Sequence, residues 1–276
     1  MKTLYSFFIL ILFASCASGK EKKYIGCTPA NQVVRSFLGI SRSDSVDFIR
    51  WRITIENDKY NLKCNYGIGK QNTNGFINGG KWIELNGNLE KEKNYYSLQN
   101  GNNFLKVLEL NADLIHLLDG ERKMLVGTGG WSYTLNLEKA SITDQVNIIS
   151  KKDVLQDSMA FHGRTLCGDF SINRPGPVCT KMKWSIVFYA NAGKNEPTTY
   201  LLNHSRAHPL EYPGKTGTWK IVTGKDGRII YELKPDNENT PTYLLKLDEN
   251  TLIFTDAKGN LLVGNEDFSF TLSRKL

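Results

Sequence analysis

Short runs of alternating apolar and polar residues, broken by clusters of Gly, Asn and Asp, recur along most of the chain. IRWRITI, DKYNLKC, GKWIELNG, NYYSL, FLKVLEL, DLIHLLD, RKMLV and WSYTLNL occupy the first half, and KWSIVFY, TYLLN, GTWKIV, RIIYELK, TYLLKL, TLIFTD, NLLVG and FSFTL the second. A period of two sends successive side chains to opposite faces, so these runs predict β-strands. The intervening GKDG and DAKG have hairpin chemistry. Helix signals are confined to PANQVVRSFLG and SITDQVNIISKKDVLQDSM, and the second half of the latter predicts a linker helix.

The pattern is also duplicated. LELNADLIHLLDGERKMLVGTGGWSYTL, ending at Leu135, aligns without gaps with LKLDENTLIFTDAKGNLLVGNEDFSFTL, ending at Leu272, at an offset of 137. Leu110 falls on Leu247, Asp119 on Asp256, Trp131 on Phe268, Ser132 on Ser269 and Tyr133 on Phe270. The same offset places Gly80 and Trp82 on Gly217 and Trp219, and YIGCT on FHGRT, whereas Trp51 matches Trp184 at an offset of 133. One folding unit therefore occurs twice.

Up-and-down connections favour a meander that closes into a barrel, because closure removes aggregation-prone edges; a pair of flat sandwiches is the alternative. The expected fold is all-β, a tandem repeat of two antiparallel meander β-barrels joined by a short, partly helical linker. Residues 24–138 form the first unit, 139–158 the linker and 159–276 the second.

The N-terminus changes the setting. MKTLYSFFILILFASCASGKEKK has a lone Lys2, an apolar run from Leu4 to Phe13, then Ala14, Ser15 and Cys16 before a lysine-rich stretch. The run falls short of the ~20 residues of a membrane helix and reads as a secretory signal. FASC resembles the bacterial lipobox, with Phe13 where Leu is usual. Residues 1–15 are then the signal peptide, Cys16 the lipidated, palmitate-bearing first residue, and 16–23 a tether. Ala17 is not the Asp that commonly retains lipoproteins at the inner membrane, so the outer membrane, periplasmic side, is the expected location.

An oxidising envelope compartment allows disulfides. Of five cysteines, Cys16 takes lipid, leaving Cys27, Cys64, Cys167 and Cys179, which permit three pairings. The net charge of +7 suits solubility or weak attraction to acidic headgroups, lipopolysaccharide or peptidoglycan, and exported proteins rarely meet nucleic acid. KMKWSIVFY is basic, but its alternating lysines read as the solvent face of a strand.

Candidate chemistry is sparse. His116, His162, His204 and His208 lie in no recognisable nucleophile context, so no enzyme is expected. HSRAH spaces His204 and His208 as metal ligands on a helix, but the strand-and-turn context and Pro209 oppose that geometry; exposed loop histidines are expected. FINGGKW and GTGGW lack a following helix and read as turns. The aromatics Trp51, Trp82, Trp131, Trp184, Trp219, Phe268 and Phe270 read as core before cavity lining.

The lipidated N-terminus, the GRTLC start, KWSIVFY, GKTGTWKI, YLLKLDENTLIFTDAKGNLL and the closing FSFTL together resemble the NlpE-like lipoproteins. The resemblance covers most of the second unit and, more weakly, the first. It implies a small lipocalin-like barrel tethered to the outer membrane, associated with copper tolerance and with signalling of envelope stress through protein or metal contacts. A carrier of a small apolar ligand is the alternative.

The chain departs from that family at its cysteines. The family pattern has two cysteines separated by two residues, whereas Cys167 and Cys179 are separated by eleven. Compartment and spacing predict a Cys167–Cys179 disulfide, worth on the order of 3 kcal/mol; reduced, the same pair could take copper. The first unit has Ala30 and Val46 in their places, and a separate Cys27–Cys64 bridge is expected there. No cofactor is required.

Overall fold

A computed structural model describes residues 21–140, 146–147, 154–167, 181–205, 214–224 and 226–275. Two closed eight-stranded barrels account for nearly all of it. The first contains β1 (Lys22–Thr28), β2 (Phe48–Glu56), β3 (Lys59–Gly67), β4 (Lys81–Glu92), β5 (Tyr95–Asn100), β6 (Asn103–Asn111), β7 (Leu114–Leu118) and β8 (Thr134–Leu137). The second contains β9 (Ser158–Thr165), β10 (Met182–Asn191), β11 (Glu196–Ser205), β12 (Lys215–Thr223), β13 (Ile229–Pro235), β14 (Thr242–Lys246), β15 (Thr251–Thr255) and β16 (Thr271–Arg274). Every neighbouring pair is antiparallel, and each barrel closes by pairing its last strand with its first, β8 on β1 and β16 on β9. Closure excludes the sandwich alternative.

The strand assignment differs from the sequence pattern at one place in each barrel. RKMLV and NLLVG form only single bridges, Leu118 with Met124 and Thr255 with Leu261. The missing strand comes instead from Lys22–Thr28 and Ser158–Thr165. Lys22–Thr28 is buried at three successive positions, which hides its alternation, and Ser158–Thr165 alternates but fills two of its inward positions with Gly163 and Thr165, which breaks the apolar pattern.

The interiors are filled. Ile49, Trp51, Ile53 and Ile55 point inward from β2 and meet Tyr24, Leu62, Leu98 and Tyr133. The predicted helix forms as α1 (Gln32–Leu38), capped by the Asn31 side chain accepting from Val34 N–H and ended by Gly39 at φ 70°. It adds Val34, Phe37 and Leu38 to the first barrel's core. Ala30 and Val46, which replace Cys167 and Cys179, pack against that same core. In the second barrel Phe188 lies against Trp219 and Tyr231 with ring centroids 4.9 and 5.3 Å apart.

One internal device is repeated. Trp51 Nε1 donates to Thr28 Oγ1 at 2.8 Å, and Trp184 Nε1 donates to Thr165 Oγ1 at 2.9 Å. Buried indole N–H groups need an acceptor, and each barrel supplies a threonine from its first strand.

Register corrects the middle of the repeat. Tyr60 lies opposite Gly87, and Tyr200 opposite Gly217, so Gly217 corresponds to Gly87 and Trp219 to Leu89. Both glycines sit where a Cβ would strike backbone, Gln99 O at 2.6 Å and Lys234 O at 2.1 Å. Trp82 is thereby released from the core and is 69% exposed, contrary to the core reading of that residue.

The barrels meet along the outer faces of β7–β8 and β15–β16. Ser132 Oγ lies 2.6 Å from Ser269 Oγ, and Thr271 Oγ1 donates to Thr134 Oγ1 at 2.9 Å. Each residue touches its own counterpart at the 137 offset, as happens only on a two-fold axis. Leu108, Leu110, Leu114 and Leu118 pack with the second barrel's cluster. Asn136 Nδ2 donates to Asn265 O at 2.8 Å, while its Oδ1 accepts from Gly264 N–H at 2.8 Å. Of the linker, Asn147 returns to the first barrel, donating from N–H to Leu110 O at 2.8 Å; the expected linker helix falls largely outside the described residues.

Candidate functional site

Cys27 and Cys64 are both buried free thiols, so the expected Cys27–Cys64 bridge is not formed. Cys27 is on β1 opposite Arg50, and Cys64 is on β3 opposite Trp51, with β2 between them. Strands lie about 4.8 Å apart, which puts two strand steps beyond the ~7 Å Cα reach of a disulfide. They also face different ways. Cys64 points into the barrel with Trp51, whereas Cys27 points out to the seam and donates its S–H to Glu266 O at 3.2 Å.

Burial pushes the Cys27 thiol up to about 12, against the opposing pull of Arg50, and burial raises the Cys64 thiol well above its ordinary range. Neither supplies a thiolate at neutral pH. In the native protein neither should react with a soluble disulfide reagent over hours at pH 8, and both should react once guanidinium unfolds the chain. Rapid native labelling of either would contradict the burial described here.

Cys167 is disulfide-bonded and so offers no thiolate to copper unless reduced. Cys179 and the lipidation residue Cys16 lie outside the described residues. Among the described residues no group of three or more His, Cys, Asp or Glu side chains is gathered as for a metal. His204 lies on β11, buried, with its ring centroid 5.6 Å from that of Trp184. It is therefore not the exposed loop histidine expected, because HSRAH begins inside a strand whose alternate positions face the core. His208 lies outside the described residues.

The glycine tracts behave differently from each other. FINGGKW is a turn, with Gly79 and Gly80 at φ 78° and 72°. GTGGW instead reaches across to the second barrel and helps build the seam. Phe76 stacks on Phe48 at 4.2 Å, Phe48 on Trp131 at 4.6 Å, and the Arg164 guanidinium sits 5.2 Å from the Trp131 ring. A cleft of about 210 Å³ opens beside this stack, lined also by Asp47, Lys181, Asp267 and Phe268. Arg50 pairs with Asp267 at 2.6 Å, and Asn74 Nδ2 donates to the other oxygen of Asp267 at 2.8 Å.

None of this seam was visible as a site in the sequence. Phe48, Phe76 and Cys27 belong to different strands and loops, and outward-facing residues read as solvent positions. The available signal was DLIHLLD and its counterpart TLIFTD, strands without a polar face. A strand buried on both sides needs a second body against it.

Compared with protein-family models, with curated proteins and with solved structures, the chain matches none, and the resemblance to the NlpE-like lipoproteins rests on its own sequence segments.

Proposed function

We propose that the protein is a lipid-anchored envelope protein of NlpE-like type, acting at the outer membrane in copper tolerance or envelope-stress sensing by binding rather than by catalysis. The observation that carries the binding-surface reading is the filled interior. Tyr24, Phe37, Trp51 and Tyr133 occupy the first barrel, and Phe161, Phe188, Tyr231 and Phe254 the second, all nearly inaccessible to solvent. Side chains packed to this degree take the place a carried apolar ligand would need. The chemistry left for function is on the outer faces, at the seam and in the Cys167 disulfide. The anchor follows from FASC and Cys16, and no helix among the described residues is long and apolar enough to cross a membrane.

The test is genetic and biochemical together. A strain lacking the chain is expected to lose copper tolerance or to misreport envelope stress, with wild-type protein restoring it. Cys16→Ala is expected to abolish palmitate labelling and to move the protein out of the membrane fraction. Full labelling of the Cys16→Ala protein would overturn the anchor, and unchanged copper and stress responses in the deletion strain would overturn the function.

A further inference from the structure

The two-fold seam creates two equivalent crevices, and they are furnished oppositely. In the first, the loop Gly264–Phe268 lies over β1. Its Asp267 carboxylate pairs with Arg50 at 2.6 Å, its Glu266 carbonyl accepts from Cys27, and nearby Glu138 pairs with Arg52 at 3.3 Å. That crevice contains its own anions.

In the second crevice the loop Gly127–Trp131 lies over β9. The 137 offset puts Gly129 and Gly130 where the first has Glu266 and Asp267, and Lys275 where it has Glu138. Cys27 is replaced by Arg164, and Ile25 by His162. The result is a cleft of about 540 Å³ lined by His162, Arg164, Arg274 and Lys275 with Thr128 and Ser273, and with no carboxylate among its described lining residues. Arg274 is held by the neutral oxygens of Gln156 and Glu249. Arg164 has the Trp131 ring face beside it.

Burial lowers the Arg164 guanidinium from its ordinary value, and burial with the charge of Lys275 lowers His162. Arg164 therefore keeps its charge in a partly desolvated place that a bound anion would favour, while the His162 ring, neutral at pH 7, offers an N–H donor. The hydroxyls of Thr128 and Ser273 and the glycine loop provide further donors of the kind oxyanions use.

We propose that this second crevice is an oxyanion site that takes a phosphoryl group, in the place that the Asp267 carboxylate fills in its symmetry mate. The geometry offers a direct substitution. A Cβ built on Gly130 would lie 3.6 Å from Cζ and Nη1 of Arg164, in ordinary contact, and Gly130 has no positive φ to oppose a side chain. Gly130→Asp therefore installs the counterpart of Asp267. Gly129, at φ 75° and with a Cβ position 3.0 Å from His162, would not accept one.

The experiment uses the full-length protein in detergent, with inorganic phosphate against chloride at matched ionic strength, read by ³¹P line width and thermal midpoint. Wild type is expected to broaden the phosphate resonance and to gain thermal midpoint. Arg164→Gln and Gly130→Asp are each expected to weaken phosphate binding at least tenfold. Gly130→Asp should also melt no lower than wild type without phosphate, which shows that it is folded. Vesicles of phosphatidic acid in phosphatidylcholine, compared with phosphatidylcholine alone, distinguish the source. Binding to both phosphate and the acidic vesicles assigns the phosphoryl group itself, and binding to the vesicles alone assigns a lipid headgroup. Binding to neither, or binding undiminished in both variants, overturns the proposal.

Discussion

Trp51→Ala is expected to lower the unfolding free energy by about 3–5 kcal/mol, the range for deleting a large buried aromatic. Trp51 is 1% exposed and lies among the inward side chains of β1, β2 and β3. Its loss removes that packing and also leaves the Thr28 hydroxyl without its indole donor. Trp51→Phe separates the two effects: it keeps a ring and deletes the N–H, so it should cost less, with about 1 kcal/mol assigned to the hydrogen bond. Trp184→Ala is expected to behave alike in the second barrel, through Thr165. Trp82→Ala, at an exposed position, should change stability by less than about 0.5 kcal/mol. Equilibrium denaturation in urea measures all four, and a Trp51→Ala cost no larger than that of Trp82→Ala would contradict the register.

Acid should loosen the seam through His116. The imidazole is buried between the barrels; its Nδ1 lies 2.8 Å from Thr134 Oγ1 and its Nε2 lies 3.0 Å from Leu125 O. Thr271 donates to Thr134, so Thr134 donates onward to Nδ1 and the neutral ring carries its proton on Nε2, facing the carbonyl. Burial pushes the His116 pKa down from 6.5 to about 4. The unfolded chain then binds a proton between about pH 6.5 and 4 that the folded chain refuses. Stability is unaffected by this group above pH 6.5 and falls as pH drops through that window, by on the order of 2 kcal/mol at pH 5 and about 3 below pH 4. His116→Ile, which copies the counterpart Ile253, should remove that part of the pH dependence. Unfolding curves at pH 7.5 and 5 for both proteins check it, and equal acid sensitivity would show that other groups govern the decline.

The architecture was largely legible because its determinants are local. Alternation along IRWRITI survives in β2, where Ile49, Trp51, Ile53 and Ile55 are buried and Arg52 is exposed. The helix signal in PANQVVRSFLG is realised as α1, which Asn31 and Gly39 cap. Register was less legible: FINGGKW and GKTGTWK share a glycine and a tryptophan at the same spacing, yet the tight approach that requires glycine is at Gly87. The site was least legible. Two cysteines in a small unit read as exported suggested a bridge, but which face each occupies depends on register, and register placed Cys64 inside and Cys27 outside. The seam depends on residues that only the packing of two closed barrels brings together.

Ser132 facing Ser269 has a meaning for ancestry. In a homodimer of single barrels, every substitution at the interface occurs twice, so the two crevices must stay identical. A charge that suits one is forced on the other. Joining the units in one chain removes that constraint while keeping the interface that self-pairing required. Position 130 could then hold glycine while its counterpart 267 holds aspartate, and one crevice could be sealed while the other stayed open.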